Sequence, residues 1–163
     1  MFRRSAIISV CAVLAGCGFQ LRQAPTFAFD TVYVAAPPAS PFGQELKRTI
    51  AASGKVKTLA DAQATTAQVV LDLLDERREK VVVGLNASGQ VREFQLRERI
   101  RFRLRTPQGK ELIEPTELLQ QRDISFNEQA VLSKEAEENL LYREMQTDLV
   151  QQLMRRLAAI KQV

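Results

Sequence analysis

The sequence VREFQLRERIRFRLR, Val91–Arg105, alternates apolar and basic side chains over most of its length. Successive residues of a strand point to opposite faces of a sheet, so this pattern predicts a strand buried on one face and solvated on the other. The predicted buried face carries five apolar side chains: Phe94, Leu96, Ile100, Phe102 and Leu104. The predicted outer face carries five arginines: Arg97, Arg99, Arg101, Arg103 and Arg105.

The segments on both sides of this strand also have the composition of strands. Residues 68–83 combine runs of Val and Leu with a charged patch, which predicts one long strand with room for a bulge. Residues 112–124 predict a third strand, although Pro115 indicates an edge or a bulge near its start. The polar turns at 84–90 and 106–109 separate the three strands, so we expect an antiparallel meander.

A further strand and a helix precede the meander. Residues 27–34 hold β-branched and aromatic side chains typical of a short strand. Ser40 followed by Pro41 indicates a helix start, and Gly54 suits the left-handed conformation beyond the helix end. The apolar face of this helix repeats every fourth residue, at Phe42, Leu46 and Ile50. Residues 55–66 are interpreted as a connection.

The last part of the chain predicts a long helix from Lys134 to Ile160, with Ser133 as its N-cap. Its apolar stripe is Leu140, Leu141, Met145, Leu149, Leu153, Leu157 and Ile160. We expect four leucines of the stripe (Leu140, Leu149, Leu153 and Leu157) to face Phe94, Leu96, Ile100 and Phe102. The fold class is therefore α+β, with two helices packed on one face of a four-stranded mixed sheet in the order β-α-β-β-β-α.

The N-terminus has the organisation of a lipoprotein signal. Arg3 and Arg4 precede a short apolar run that ends in Leu14-Ala15-Gly16-Cys17. We interpret residues 1–16 as a signal peptide, 17–26 as a tether lipidated at Cys17, and 27–163 as a single α+β domain. Plain secretion with an incidental cysteine is the alternative. Gly18, in place of the Asp that retains lipoproteins at the inner membrane, favours the outer membrane.

The composition argues against several classes of site. The chain has no His and, once Cys17 is acylated, no free Cys beyond the signal, so we expect no catalytic residues, no metal site and no cofactor. Loss of Arg3 and Arg4 with the signal lowers the net charge from +4 to +2, which argues against nucleic acid as a partner. A carboxylate hydrolase using Glu111 with Glu114, or Asp72 with Asp75, is a rival, but cross-strand ion pairing explains these residues more simply.

Three pieces of sequence, in this order and spacing, resemble the LptE family of lipopolysaccharide-assembly lipoproteins. They are AGCGFQLR at 15–22, EFQL at 93–96, and VLSKE at 131–135 followed by EM at 144–145 and RRL at 155–157. The resemblance implies two helices on a four-stranded sheet and no enzymatic activity. It further implies a lipid-anchored protein that plugs the export barrel LptD as a 1:1 complex, helps it to assemble, and binds lipopolysaccharide. A lipoprotein of another envelope machine, such as the β-barrel insertion complex, is the alternative.

The resemblance also suggests where lipopolysaccharide binds. Lys134 matches a basic position of the family, and Ala87 stands where relatives can carry a basic residue, so Arg92 would substitute for that contact. A second candidate set is the strand arginines Arg97, Arg99 and Arg101, because guanidinium groups bind phosphate bidentately. The alternative for these arginines is pairing within the sheet, with carboxylates on the two neighbouring strands: Asp72, Asp75, Glu76, Glu79, Glu111, Glu114 and Glu117.

Overall fold

The computed structural model describes residues 26–127 and 131–163. Its elements, in chain order, are β1 (Thr31–Ala35), α1 (Pro41–Ala52), β2 (Lys57–Leu59), a 3₁₀ helix (Asp61–Thr66), β3 (Val69–Leu85), β4 (Val91–Arg105), β5 (Glu111–Ser125) and α2 (Val131–Ala158). The predicted α+β class is confirmed, and the predicted strand at 27–34 is shorter than expected.

The sheet is mixed and has five strands in the order β2-β1-β3-β4-β5. Strand β1 runs parallel to both β2 and β3, whereas β3, β4 and β5 form the predicted antiparallel meander. The prediction of four strands was wrong because β2 lies inside the segment interpreted as a connection. The three residues of β2 are too few to show an alternating pattern in the sequence. The strand is defined only by its parallel pairing with β1, which begins at Thr31 opposite Lys57.

The meander contains the irregularities that its sequence predicts. The pairing of β3 with β4 shifts register between Leu73 and Asp75, which leaves Leu74 as the bulged residue. Strand β5 is an edge strand, and its register with β4 shifts between Thr116 and Ile113, the stretch that contains Pro115. The proline therefore lies at both an edge and a bulge, where its missing N–H removes no ladder hydrogen bond.

Helix α1 begins as its sequence predicts. Ser40 Oγ accepts a hydrogen bond from the backbone N–H of Gly43 at 2.8 Å, and Pro41 occupies the first turn. A Cβ at Gly43 would lie 2.6 Å from the Cβ of Ala36, so only glycine permits this approach of the helix to the residue that follows β1. Phe42, Leu46 and Ile50 are buried as expected, and Gly54 has φ +64° beyond the helix end.

Helix α2 begins at Val131, so the prediction of Ser133 as its N-cap was wrong. The first residues, Val131 and Leu132, are 43% and 82% exposed, and neither is a residue type that marks a helix start. Leu140 was also predicted incorrectly as a core residue, because it is 48% exposed. It lies nine residues before Leu149, which at about 100° per residue places the two on opposite sides of the helix.

The buried apolar residues form two clusters. The larger joins both helices to the sheet and includes Ile100, Phe102, Leu149, Leu153 and Leu157. The smaller lies near the turn between β3 and β4, and its buried members are Leu96, Ile124, Tyr142 and Met145. The predicted burial of the even-numbered face of β4 is confirmed for Leu96, Ile100, Phe102 and Leu104, whereas Phe94 is only partly buried. Tyr142 with Met145 takes the place predicted for Leu140.

Candidate functional site

The strand arginines project from the face of the sheet opposite the helices, and two of them are bound by one carboxylate. Arg103 Nε and Arg105 Nε lie 2.7 and 2.8 Å from Asp72 Oδ2. Burial acts to raise the pKa of Asp72, but the hydrogen bonds from Arg105 and Arg103 outweigh it and hold the pKa of this carboxyl below its usual range. Arg103 also lies 3.8 Å from Glu111, so at this end of the sheet two arginines are matched by two carboxylates.

The three candidate strand arginines differ in their partners. Arg99 Nη1 lies 3.4 Å from Glu117, and Arg97 Nε donates to Gln95 Oε1 at 2.8 Å. In the described part of the chain, Arg101 has no carboxylate within 4.0 Å, although its register partners are Asp75 and Glu117. The cross-strand pairing predicted as the alternative is thus present at Arg99, Arg103 and Arg105.

The hydrolase rival depends on the same carboxylates. Asp72 is engaged by two guanidinium groups, and Asp75 lies 2.9 Å from Arg77 Nε. Glu111 lies 3.8 Å from Arg103 Nη1. Asp72 and Glu111 are therefore held in cross-strand ion pairs, whereas Asp75 pairs with a neighbour on its own strand. In the described ranges, no cluster of three or more acidic, His or Cys side chains is placed to hold a metal ion.

Lys134 and Arg92 lie at the end of the sheet near the turn between β3 and β4. Lys134 Nζ donates to Ser125 Oγ at 2.9 Å and pairs with Glu137 at 2.8 Å, and its side chain is 22% exposed. The carbonyl of Arg92 accepts the backbone N–H of Phe126 at 2.8 Å. Two adjacent residues, Ser125 and Phe126, therefore contact the side chain of Lys134 and the backbone of Arg92, respectively.

A notch of about 170 Å³ opens beside Lys134, and we call it the tip notch. Its apolar lining comes from Phe94, Ile124, Phe126 and Val131, and its polar lining from Lys80, Ser125, Lys134, Glu135 and Glu138. Lys80 Nζ lies 4.4 Å from the centre of the Phe94 ring and 2.6 Å from Glu138 Oε2. The sequence analysis missed Lys80 because it lies in the charged patch at 75–80, where no apolar alternation shows which side chains face the helices.

A buried polar layer separates the two apolar clusters. Glu98 is fully buried on the even-numbered face of β4, and its Oε1 lies 2.9 Å from Arg78 Nε. Arg78 also donates to Gln146 Oε1 at 2.6 Å, and Gln146 in turn donates to Glu45 on α1. Burial raises the pKa of Glu98, with only part of the rise offset by Arg78. The sequence contained a signal for this layer, because Glu98 is the one acidic residue in the apolar series that runs along alternate positions of β4 from Phe94 to Leu104.

The sequence profile of the lipopolysaccharide-assembly family LptE matches residues 29–157, well over half of the chain. The chain belongs to this family. The LPS-assembly lipoprotein LptE of Photorhabdus laumondii is 26% identical over 151 residues, which is 91% of this chain and 80% of that protein. The matched region contains Arg92, Lys134 and the strand arginines. Cys17 lies outside both the matched region and the described residues.

Solved structures of lipoproteins share the fold. The solution NMR structure of an uncharacterized lipoprotein B from Nitrosomonas europaea superposes with a TM-score of 0.75 at 35% identity, covering 87% of this chain and 91% of that one. The crystal structure of the rare lipoprotein B from Shewanella oneidensis gives 0.66 at 21% identity, covering 80% and 95%. The first supports membership of a lipoprotein family, and the second supports the fold alone. No helix in the described ranges has the length and apolar character needed to cross a membrane.

Proposed function

We propose that this protein is an outer-membrane lipoprotein of lipopolysaccharide export. In this proposal it plugs an LptD-like β-barrel as a 1:1 complex, helps the barrel to assemble, and binds lipopolysaccharide on its way to the cell surface. Its role is binding and assembly, without enzymatic turnover. The observation that carries the proposal is the LptE family match over residues 29–157.

The anchor of the proposed protein is the acylated Cys17. Residues 1–16 would be removed as a signal, residues 17–26 would tether the lipid, and residues 27–163 would form the domain. Each buried CH₂ of an acyl chain contributes about 0.8 kcal/mol, and more than one chain gives a stable anchor. The anchor places the protein on the periplasmic side of the outer membrane, from which the domain enters the barrel lumen.

The uncovered face of the sheet suits a polar lumen. Both helices pack in the cluster that holds Ile100 and Phe102, so the arginine face of β4 is free of both helices. That face mixes charges of both signs, for example in the pairs of Arg99 with Glu117 and Arg103 with Asp72. A face of partly hydrated ion pairs is compatible with a water-lined barrel wall and unfavourable against hydrocarbon.

Lipopolysaccharide binding is assigned in this proposal to Lys134 and Arg92. The support is that both residues lie at the same end of the sheet: the Lys134 side chain donates to Ser125, and the N–H of the adjacent Phe126 donates to the backbone carbonyl of Arg92. Lipid A phosphates are anions, and a lysine and an arginine at one end of the domain provide point and bidentate contacts. Arg97, Arg99 and Arg101 remain the second candidates, with Arg99 already engaged by Glu117.

The identity of the partner tests the proposal. The full-length chain with a C-terminal affinity tag would be purified from native outer membranes, with an unrelated tagged lipoprotein as the control. The expected result is a stoichiometric complex with the large barrel of lipopolysaccharide export, identified by mass spectrometry. Co-purification with the β-barrel insertion complex instead, without the export barrel, would contradict the proposal in favour of the alternative.

A further inference from the structure

The end of the domain that holds Lys134 also exposes several large apolar side chains. Val82, Leu85, Val131 and Leu132 are each more than 40% exposed. Val82 pairs directly with Phe94 across the β3–β4 ladder, so the exposed surface continues into the tip notch. Contiguous exposed apolar surface beside a concavity marks a binding site more often than a solvated surface.

The tip notch has the chemistry of a slot for hydrocarbon. Ile124 is almost fully buried and forms its floor, and the rings of Phe94 and Phe126 meet edge to face with centroids 5.4 Å apart. Val131, at 43% exposure, lies at the outer part of the lining. Behind Ile124 the smaller cluster is closed by Leu96 and Met145, which are fully buried. The notch therefore admits a narrow apolar group to a limited depth.

Two lysines flank this apolar slot. Lys80 lies over the Phe94 ring, and Lys134 reaches Ser125 beside Ile124. An occupant with a hydrocarbon chain and an adjoining anionic group matches both features. We infer that the tip notch binds part of one acyl chain of the lipopolysaccharide whose phosphate contacts Lys134. This inference rests on the proposed function, which assigns only the charged contact.

The two lysines at the notch are already paired with carboxylates, which an anionic ligand must displace. Lys80 is paired with Glu138, and Lys134 with Glu137. Both pairs are partly exposed, where an ion pair contributes little and exchanges readily. A phosphate must replace these carboxylates, so removing their charge favours the ligand. Glu137→Gln with Glu138→Gln should therefore raise the affinity for lipopolysaccharide several-fold, whereas a merely structural role for the lysines predicts no gain.

The test compares lipopolysaccharide with its fully deacylated form, which keeps the phosphates and loses every chain. The protein is the mature chain, residues 17–163, carrying Cys17→Ala so that no detergent competes for the notch. Each buried methylene contributes about a fourfold increase in affinity. The expected affinity for intact lipopolysaccharide is therefore at least about tenfold higher than for the deacylated form, measured at one salt concentration.

A matched pair of variants tests the location. Val131→Trp fills the opening of the notch, and Leu132→Trp makes the same change at the neighbouring residue, which is 82% exposed and does not line the notch. Val131→Trp should reduce the ratio of the two affinities to near one, and Leu132→Trp should leave it unchanged. Equal affinity of the wild type for both ligands, or equal effects of the two variants, would overturn the inference and leave the proposed function standing. Failure of the wild type to bind either ligand would contradict lipopolysaccharide binding itself.

Discussion

The partly exposed Arg78 forms an ion pair with the fully buried Glu98, with Nε 2.9 Å from Oε1. They lie on adjacent strands, and the pair joins the sheet to both helices through Gln146 and Glu45. The other oxygen of Glu98 has no hydrogen-bond partner among the described residues. A buried carboxylate with one unpaired oxygen is costly when ionised, so this residue links the stability of the fold to pH.

Replacement of Glu98 by Gln should change the pH dependence of stability. Burial raises the pKa of Glu98 in the folded protein. A carboxyl with a raised folded-state pKa contributes stability below its unfolded pKa, and that contribution is lost as pH rises through the folded pKa. As pH rises above the ordinary glutamate pKa of about 4.3, the free energy of unfolding of the wild type should therefore fall relative to that of Glu98→Gln, as measured by urea denaturation.

Glu117→Gln is the control, because Glu117 belongs to an exposed pair with Arg99. Its stability should follow the wild type over the same pH range. If the difference between wild type and Glu98→Gln stays constant, or grows in favour of the wild type as pH rises, Glu98 does not titrate as its environment indicates.

Truncation of Phe102 should be strongly destabilising. The side chain is fully buried between the sheet and the helices, so Phe102→Ala should lower the free energy of unfolding by about 3–5 kcal/mol. Leu140→Ala is the matched comparison on the exposed side of α2 and should change stability by less than about 0.5 kcal/mol. A loss below about 1 kcal/mol for Phe102→Ala would mean that the faces of β4 are reversed.

The sequence predicted the meander because burial on one face imposes a period of two on a long strand. Fifteen residues of β4 carry that period clearly, whereas three residues in β2 carry none. Leu140 was predicted to be in the core because it was grouped with Leu141 and the later leucines into one apolar stripe of the helix. The angular position relative to Leu149 separates them, and Tyr142, a less apolar residue, occupies the sheet-facing position.

The site was predictable only in part. Lys134 and Arg92 came from the resemblance, and their placement at one end of the sheet depends on how the chain runs from β5 to the start of α2, which no local pattern specifies. Lys80 reaches the same notch from β3, and periodicity alone does not indicate which basic residue of the charged patch at 75–80 faces a helix. Glu98 interrupts an apolar series, which was a visible signal of a buried polar contact. Its partner Arg78 lies on β3, and the contacts that continue from Arg78 reach Gln146 on α2 and Glu45 on α1.

Acylation of Cys17 is a direct prediction from the signal. Mass spectrometry of the protein purified from membranes should show an N-terminal acylated Cys17 with residues 1–16 removed. Cys17→Ala should abolish acylation and leave the thermal unfolding transition of the domain unchanged, because Cys17 lies in the predicted tether. An N-terminus elsewhere, or an unmodified Cys17, would contradict the lipoprotein assignment.

If the protein helps the export barrel to assemble, its depletion should lower the amount of assembled barrel. The amount of correctly oxidised export barrel in the outer membrane should fall, because the plug is proposed to help the barrel to assemble. Immunoblotting of non-reduced membranes would follow this over successive generations, with an unrelated outer-membrane barrel as the control. A normal level and oxidation state of the export barrel would rule out the assembly role.

Lipopolysaccharide affinity tests the central claim most directly. The mature chain with Cys17→Ala would be compared with a double variant at the tip, Lys134→Asp with Arg92→Asp, and with one of equal charge change on the strand, Arg99→Asp with Arg101→Asp. The tip variant should bind several-fold more weakly and with a flatter salt dependence, and the strand variant should bind like the parent protein. Unchanged affinity in the tip variant together with loss of binding in the strand variant would place the site on the arginine face and contradict the account.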